Sequence, residues 1–182
     1  MSEAKDNLLW GPIENLKTLI ASSKSFQALC GIGFGLAPFG QGGFGDDAAV
    51  TTAKTHVYCP AIHRVDIAAA RPLAIIIGST DWHGRRKGAG AYGYGGKIAL
   101  ALEATVPEEH AGEETAKYAA AEEWFVSLVG DIVGEMCEIA ELDGYLSLTG
   151  VKVEMAQRTD PANVKSEGDI YRVVLSLDWG VA

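Results

Sequence analysis

His56, Cys59 and His63 bear side chains that ligate zinc, at the spacing H-x2-C-x3-H. A closed zinc site wants four such ligands in a tetrahedral array, and no fourth lies nearby in the sequence. The three are expected to be ordinary polar or edge-strand residues. Asp81 and His83 are types that trade protons in acid–base catalysis. Neither a nucleophile nor a third, orienting group accompanies them. Gly88-Ala89-Gly90-Ala91-Tyr92-Gly93 satisfies G-x-G-x-x-G and follows an apolar, strand-like run. A dinucleotide site also needs a helix whose N-terminus faces the pyrophosphate, yet residues 97–106 alternate with period two and predict a strand. No catalytic residue, metal or cofactor is expected, and the chain is read as a non-enzyme.

The elements that would carry these residues are clearer. Residues 113–142 hold no proline and place Trp124, Phe125, Leu128, Val129, Ile132, Val133, Met136, Ile139 and Ala140 at steps of three and four. That spacing predicts one long helix with a broad apolar stripe. Cys137 falls in it and is expected in the core, and Gly144 is expected as its cap. Asp131, Glu135 and Glu138 predict a solvated acidic face, while Gly130 and Gly134 invite another backbone, from the first helix or a neighbouring subunit. A shorter helix is predicted over 13–30, with Gly31 as its stop.

Strands are predicted over 71–78 and 97–106, with a possible third within 51–67. In the second of these Ile98, Leu100, Leu102, Ala104 and Val106 share a face. Residues 146–156 and 169–179 read as a C-terminal antiparallel hairpin, with a β-bulge where the apolar phase shifts at Gly150. Tyr171, Val173, Leu175, Leu177 and Trp179 take one face of its last strand. The expected fold is α+β: a mostly antiparallel sheet of four to five strands, two helices packed on one face, a long glycine-rich arm and a hairpin tip. The 182 residues fit a single domain.

Two glycine-rich stretches fall outside that frame. Residues 31–50 form an arm in which glycine alternates with apolar residues, including Phe34, Phe39 and Phe44. Each interior glycine costs a helix roughly 1 kcal/mol against alanine, so an extended arm is expected, tucked on its own domain or laid on a neighbour. Residues 79–96 connect two strands through a tip bearing Trp82, Arg85, Arg86, Tyr92 and Tyr94. Tryptophan, tyrosine and arginine are enriched at interface hot spots, so all eight named residues are interface candidates.

Net charge is −9 and the pI about 4.9, which argues against general nucleic-acid binding. Three cysteines without a CxxC pair fit a reducing compartment. No run of about eighteen apolar residues predicts a membrane span.

The order of elements resembles the tail terminator and tail-completion proteins of long-tailed bacteriophages, a group that includes the minor tail protein U of lambda-like phages. The likeness rests on Leu16-Lys17-Thr18-Leu19-Ile20, on residues 96–103, on 124–136, on Gly144-Tyr145-Leu146-Ser147-Leu148 with Arg158-Thr159-Asp160, and on residues 168–175. The resemblance implies helices on one side of a largely antiparallel sheet, and no catalysis or cofactor. It implies a homohexameric ring that caps the tail tube and joins it to the head or neck. The partners would then be sister copies, the tail tube protein and a neck or head-completion protein, in a virion tail assembled in the host cytoplasm. DNA would pass through the lumen without specific binding, and no membrane would be involved. The alternatives are another neck or baseplate subunit, or a small metal- or nucleotide-binding protein.

Overall fold

The computed structural model describes residues 11–32, 45–59, 71–86, 92–111, 114–140, 147–153, 157–159 and 170–181. The fold is α+β. Helices α1 (Gly11–Ser22), α2 (Lys24–Leu29), α3 (Gly45–Lys54) and α4 (Thr115–Ala140) accompany strands β1 (Val57–Tyr58), β2 (Leu73–Arg86), β3 (Tyr92–Thr105), β4 (Ser147–Val153), β5 (Gln157–Thr159) and β6 (Ile170–Val181). A 3-10 turn, Glu108–His110, joins β3 towards α4.

The sheet runs β1-β2-β3-β6-β4, and β5 pairs with β6 as well. β4 and β5 divide one edge of β6 between them: β4 pairs with residues 175–180 and β5 with residues 170–172. The sheet is mixed rather than purely antiparallel, because β1 runs parallel to β2 while the remaining pairs are antiparallel.

The two central strands alternate as their side chains require. On β3, Ile98, Leu100, Leu102 and Ala104 are buried, and on β6 so are Tyr171, Val173, Leu175, Leu177 and Trp179. Both sets join one cluster with Leu16, Ile20, Phe26, Ala121, Phe125, Val129, Ile132 and Met136 from the helices. Phe125 stacks on Tyr171 with ring centroids 5.2 Å apart. Fully burying side chains of this size contributes about 1.5–3 kcal/mol each. A smaller cluster of Leu73, Ile75 and Ala101 takes the other face, beside Tyr58 and Val174. There Glu103 is buried, accepting from Arg71 Nε at 3.0 Å with Arg172 Nη1 at 3.6 Å.

The expected helix over 13–30 is two helices. Ser23 stops the first: its backbone is extended and its hydroxyl accepts from Phe26 N–H, capping α2. Serine competes for backbone hydrogen bonds in this way, which disfavours helix interiors. Gly31 ends α2 at φ +70, with Ile32 N–H bonded to Gln27 O and Gly31 N–H to Ala28 O. That pair of bonds is a Schellman cap, and its left-handed residue is where glycine fits best. The arm expected over 31–50 is helical from Gly45 onward as α3, so among the described residues four α-helices accompany the sheet instead of two. The strand expected within 51–67 shrinks to β1, since residues 51–54 belong to α3.

The main helix spans Thr115–Ala140, slightly inside the expected 113–142; Gly144 lies outside the described residues. Phe125, Val129, Ile132 and Met136 are buried, and Trp124, Leu128 and Val133 half-buried. Cys137 is exposed rather than in the core. Gly130 and Gly134 do not receive the first helix, because nothing lies within 4 Å of where a Cβ would stand on either. In the C-terminal hairpin the register slips between Leu148 and Gly150, as the phase shift predicted. A Cβ at Gly150 would meet Asp178 Oδ2 at 3.0 Å, so the bulge favours glycine.

Candidate interaction surface

The eighteen-residue connection expected between two strands is largely strand itself. β2 continues through Arg86 and β3 begins at Tyr92, so Ser79, Thr80 and residues 83–86 of the expected connection are paired with β3. Two irregularities bend β2 on the way, between Ile76 and Gly78 and between Thr80 and His83. Asp81 sits in the second at φ 53, a left-handed conformation that aspartate tolerates better than most residues. Its carboxylate lies 3.9 Å from Lys97 Nζ, and both side chains are well exposed, so the pair adds little.

β6 accompanies β3 only as far as Val181 opposite Tyr94. Past that point Arg85 and Arg86 pair with Gly93 and Tyr92 alone. The result is a two-stranded ribbon that continues beyond the six-stranded sheet. Of the interface candidates, Arg85, Arg86 and Tyr92 stand in this ribbon, Tyr94 at its base opposite Val181, and Trp82 in the second irregularity of β2. Phe34, Phe39 and Phe44 lie outside the described residues.

The chemistry-bearing residues are dispersed. His56 Nδ1 hydrogen-bonds the carbonyl of Pro72 at 2.9 Å, Cys59 is buried, and His63 lies outside the described residues. Among the described residues no group of three or more His, Cys, Asp or Glu could hold a metal ion. The G-x-G-x-x-G match runs into β3, not into a helix, so the dipole that would meet a pyrophosphate is not there. Cys30 is half-buried, and burial pushes its thiol up to about 12. No helix among the described residues is long and apolar enough to cross a membrane.

A second surface lies on α4. A groove of about 440 Å³ opens between the helix and the 3-10 turn, lined by His110, Glu123, Trp124, Ser127, Leu128 and Asp131, with Ala120 at one end. The rings of His110 and Trp124 are 6.4 Å apart and tilted by 38°. Trp124 and Leu128 supply half-buried apolar surface, and Glu123 and Asp131 are exposed beside it. Sequence periodicity assigns Trp124 and Leu128 to the buried stripe. Their place at its margin, next to exposed acids, is the signal that marks the groove.

Comparison with protein-family models and with curated proteins returns no match.

Proposed function

We propose that this chain is a structural virion protein, a phage tail terminator. Its copies form a ring, hexameric in the group it resembles, at the end of the tail tube, and the ring joins the tube to the head or neck. The observation that carries this reading is the ribbon of residues 85–86 and 92–93, paired beyond the last contact with β6. A paired ribbon holds its shape where a loop of the same glycine content would not, and arginine and tyrosine, the types in its sequence, are enriched at interfaces. Net charge supports the same reading: at −9 the chain would line a DNA passage without gripping the phosphates.

The test is electron microscopy of purified protein with tail tubes lacking a terminator. Rings seated on tube ends are the expected result. A variant in which an Asn-Gly turn replaces residues 85–93 keeps the Gly84–Tyr94 pairing and should fold, since a two-residue turn suits two antiparallel strands. It should fail to form rings. Native-like assembly by the shortened chain, or bare tube ends with the full chain at saturating concentration, overturns the proposal.

A further inference from the structure

The α4 groove joins an apolar floor to an acidic rim. Trp124 and Leu128 pack against the core, stay half-buried, and line the groove. Glu123 and Asp131 line it too, and both are exposed. The acidity extends around it: Glu122 and Glu138 are exposed on α4, and Glu108 and Glu109 on the 3-10 turn. Lys117, the one base of α4, is not among the lining residues. Carboxylates beside an indole favour a positively charged guest.

Spacing narrows the choice of guest. Among the described residues no group of three or more His, Cys, Asp or Glu could hold a metal ion, so the groove is not a metal centre. Glu123 and Asp131 are eight residues apart, which is roughly 12 Å along the helix axis. A helix of that length and about 10 Å diameter displaces roughly 900 Å³. The groove holds about 440 Å³, which suits a thinner, extended segment. In such a segment alternate side chains share a face, and residues i and i+4 lie about 13 Å apart. Two bases at that spacing reach both carboxylates, and the side chain at i+2 falls between them, over Trp124 and Leu128. No two of the 15 Lys and Arg in this sequence stand four apart, so a second copy of the chain does not supply the pattern.

We propose that the groove takes an extended segment of another protein, in which two arginine or lysine residues flank an apolar residue at two positions' distance on either side. The two cations pair with Glu123 and Asp131, and the apolar side chain rests on Trp124 and Leu128. The inference goes beyond the ring reading and stands on the groove alone. Exposed charges are screened by salt, so the segment binds more weakly as ionic strength rises.

Fluorescence anisotropy of the full chain with a labelled peptide, Gly-Ser-Arg-Thr-Leu-Thr-Arg-Ser-Gly, tests it. A peptide of the same composition with its two arginines adjacent is the control, and it should bind at least about fivefold more weakly. Glu123→Lys with Asp131→Lys should lower affinity for the first peptide at least about tenfold, because like charges then face each other. Glu114→Lys with Glu122→Lys makes the same change of charge at exposed positions outside the lining, and should stay within about twofold of the wild type. Circular dichroism establishes that each variant is folded; if the lysine pair does not fold, Glu123→Gln with Asp131→Asn replaces it, with a loss of about fivefold expected. Equal affinity for the two peptides, or equal losses from the two pairs of substitutions, marks a general attraction to an acidic surface and overturns the proposal. So does the absence of saturable binding at millimolar peptide. Ring formation on tube ends is read separately, so a negative result here leaves the proposed function standing.

Discussion

Glu135 on α4 holds the N-terminus of α2 through Ser25: one carboxylate oxygen accepts from the Ser25 hydroxyl at 2.8 Å and the other from its backbone N–H at 3.0 Å. The second oxygen also accepts from the Ser23 hydroxyl at 2.7 Å. Glu135 is thus no member of a solvated acidic face. It fixes the break between α1 and α2 against the main helix, across more than a hundred residues of sequence.

Glu135 should make stability pH-dependent. Burial pushes its carboxyl up, but the Ser23 hydroxyl, the Ser25 N–H and hydroxyl, and the Lys24 N–H together hold it below the ordinary value of 4.5. A carboxylate lowered on folding stabilises the protein above its unfolded value, and that contribution is lost as pH falls through the folded one. Urea unfolding should therefore show stability falling below about pH 4.5, with a shallower fall in Glu135→Gln. At neutral pH Glu135→Gln should cost about 1 kcal/mol, the scale of a lost cap.

Glu103 should matter more. It is 6% exposed and lies between Arg71 and Arg172, and Arg71 Nη1 has no hydrogen-bond partner. Glu103→Ala strands the buried Arg71 charge and should cost about 3 kcal/mol in denaturant unfolding. Replacing the pair together, as Arg71→Met with Glu103→Leu, should cost less than Glu103→Ala. A larger cost for the double variant would show that the ion pair is net stabilising.

Phe125 is 1% exposed and stacks on Tyr171, tying α4 to β6. Phe125→Ala should cost about 3–5 kcal/mol through lost burial and the cavity left behind. Val126, next to it and 55% exposed, should tolerate alanine within about 0.5 kcal/mol. Thermal unfolding of the two variants side by side checks the contrast.

Thiol titration at neutral pH should distinguish the three cysteines. Cys137 is exposed, Cys59 is buried, and the Cys30 thiol is pushed up to about 12. The thiolate is the nucleophile, so a disulfide reagent should modify Cys137 quickly and the other two only on unfolding. Two fast thiols in the native protein would contradict that burial.

Where the apolar period was strong, the sequence was a sufficient guide. β3 and β6 bury the faces that their alternation predicts, the α4 stripe is buried along Phe125, Val129, Ile132 and Met136, and the bulge falls at Gly150. α3 escaped because its apolar content is small: Ala53 is its buried core residue, Val50 only packs beside the core, and Thr51 and Thr52 favour strand locally. The ribbon escaped because glycine is a weak strand former, and cross-strand pairing there overrides the local preference. The Ser25–Glu135 bridge left no trace in spacing, being a contact between distant segments. The α4 groove depends on where the 3-10 turn places His110, which no periodicity encodes.

The strand order has a consequence for biosynthesis. β6 lies between β3 and β4, yet it is the last of the six to leave the ribosome. Until it emerges, the β2–β3 hairpin and β4 share no partner, and the apolar faces of β3 and α4 wait for Tyr171, Val173 and Leu175. Vectorial synthesis therefore cannot complete this molecule piecemeal: the sheet closes in one late event, and the nascent chain carries an unpaired β3 edge until it does.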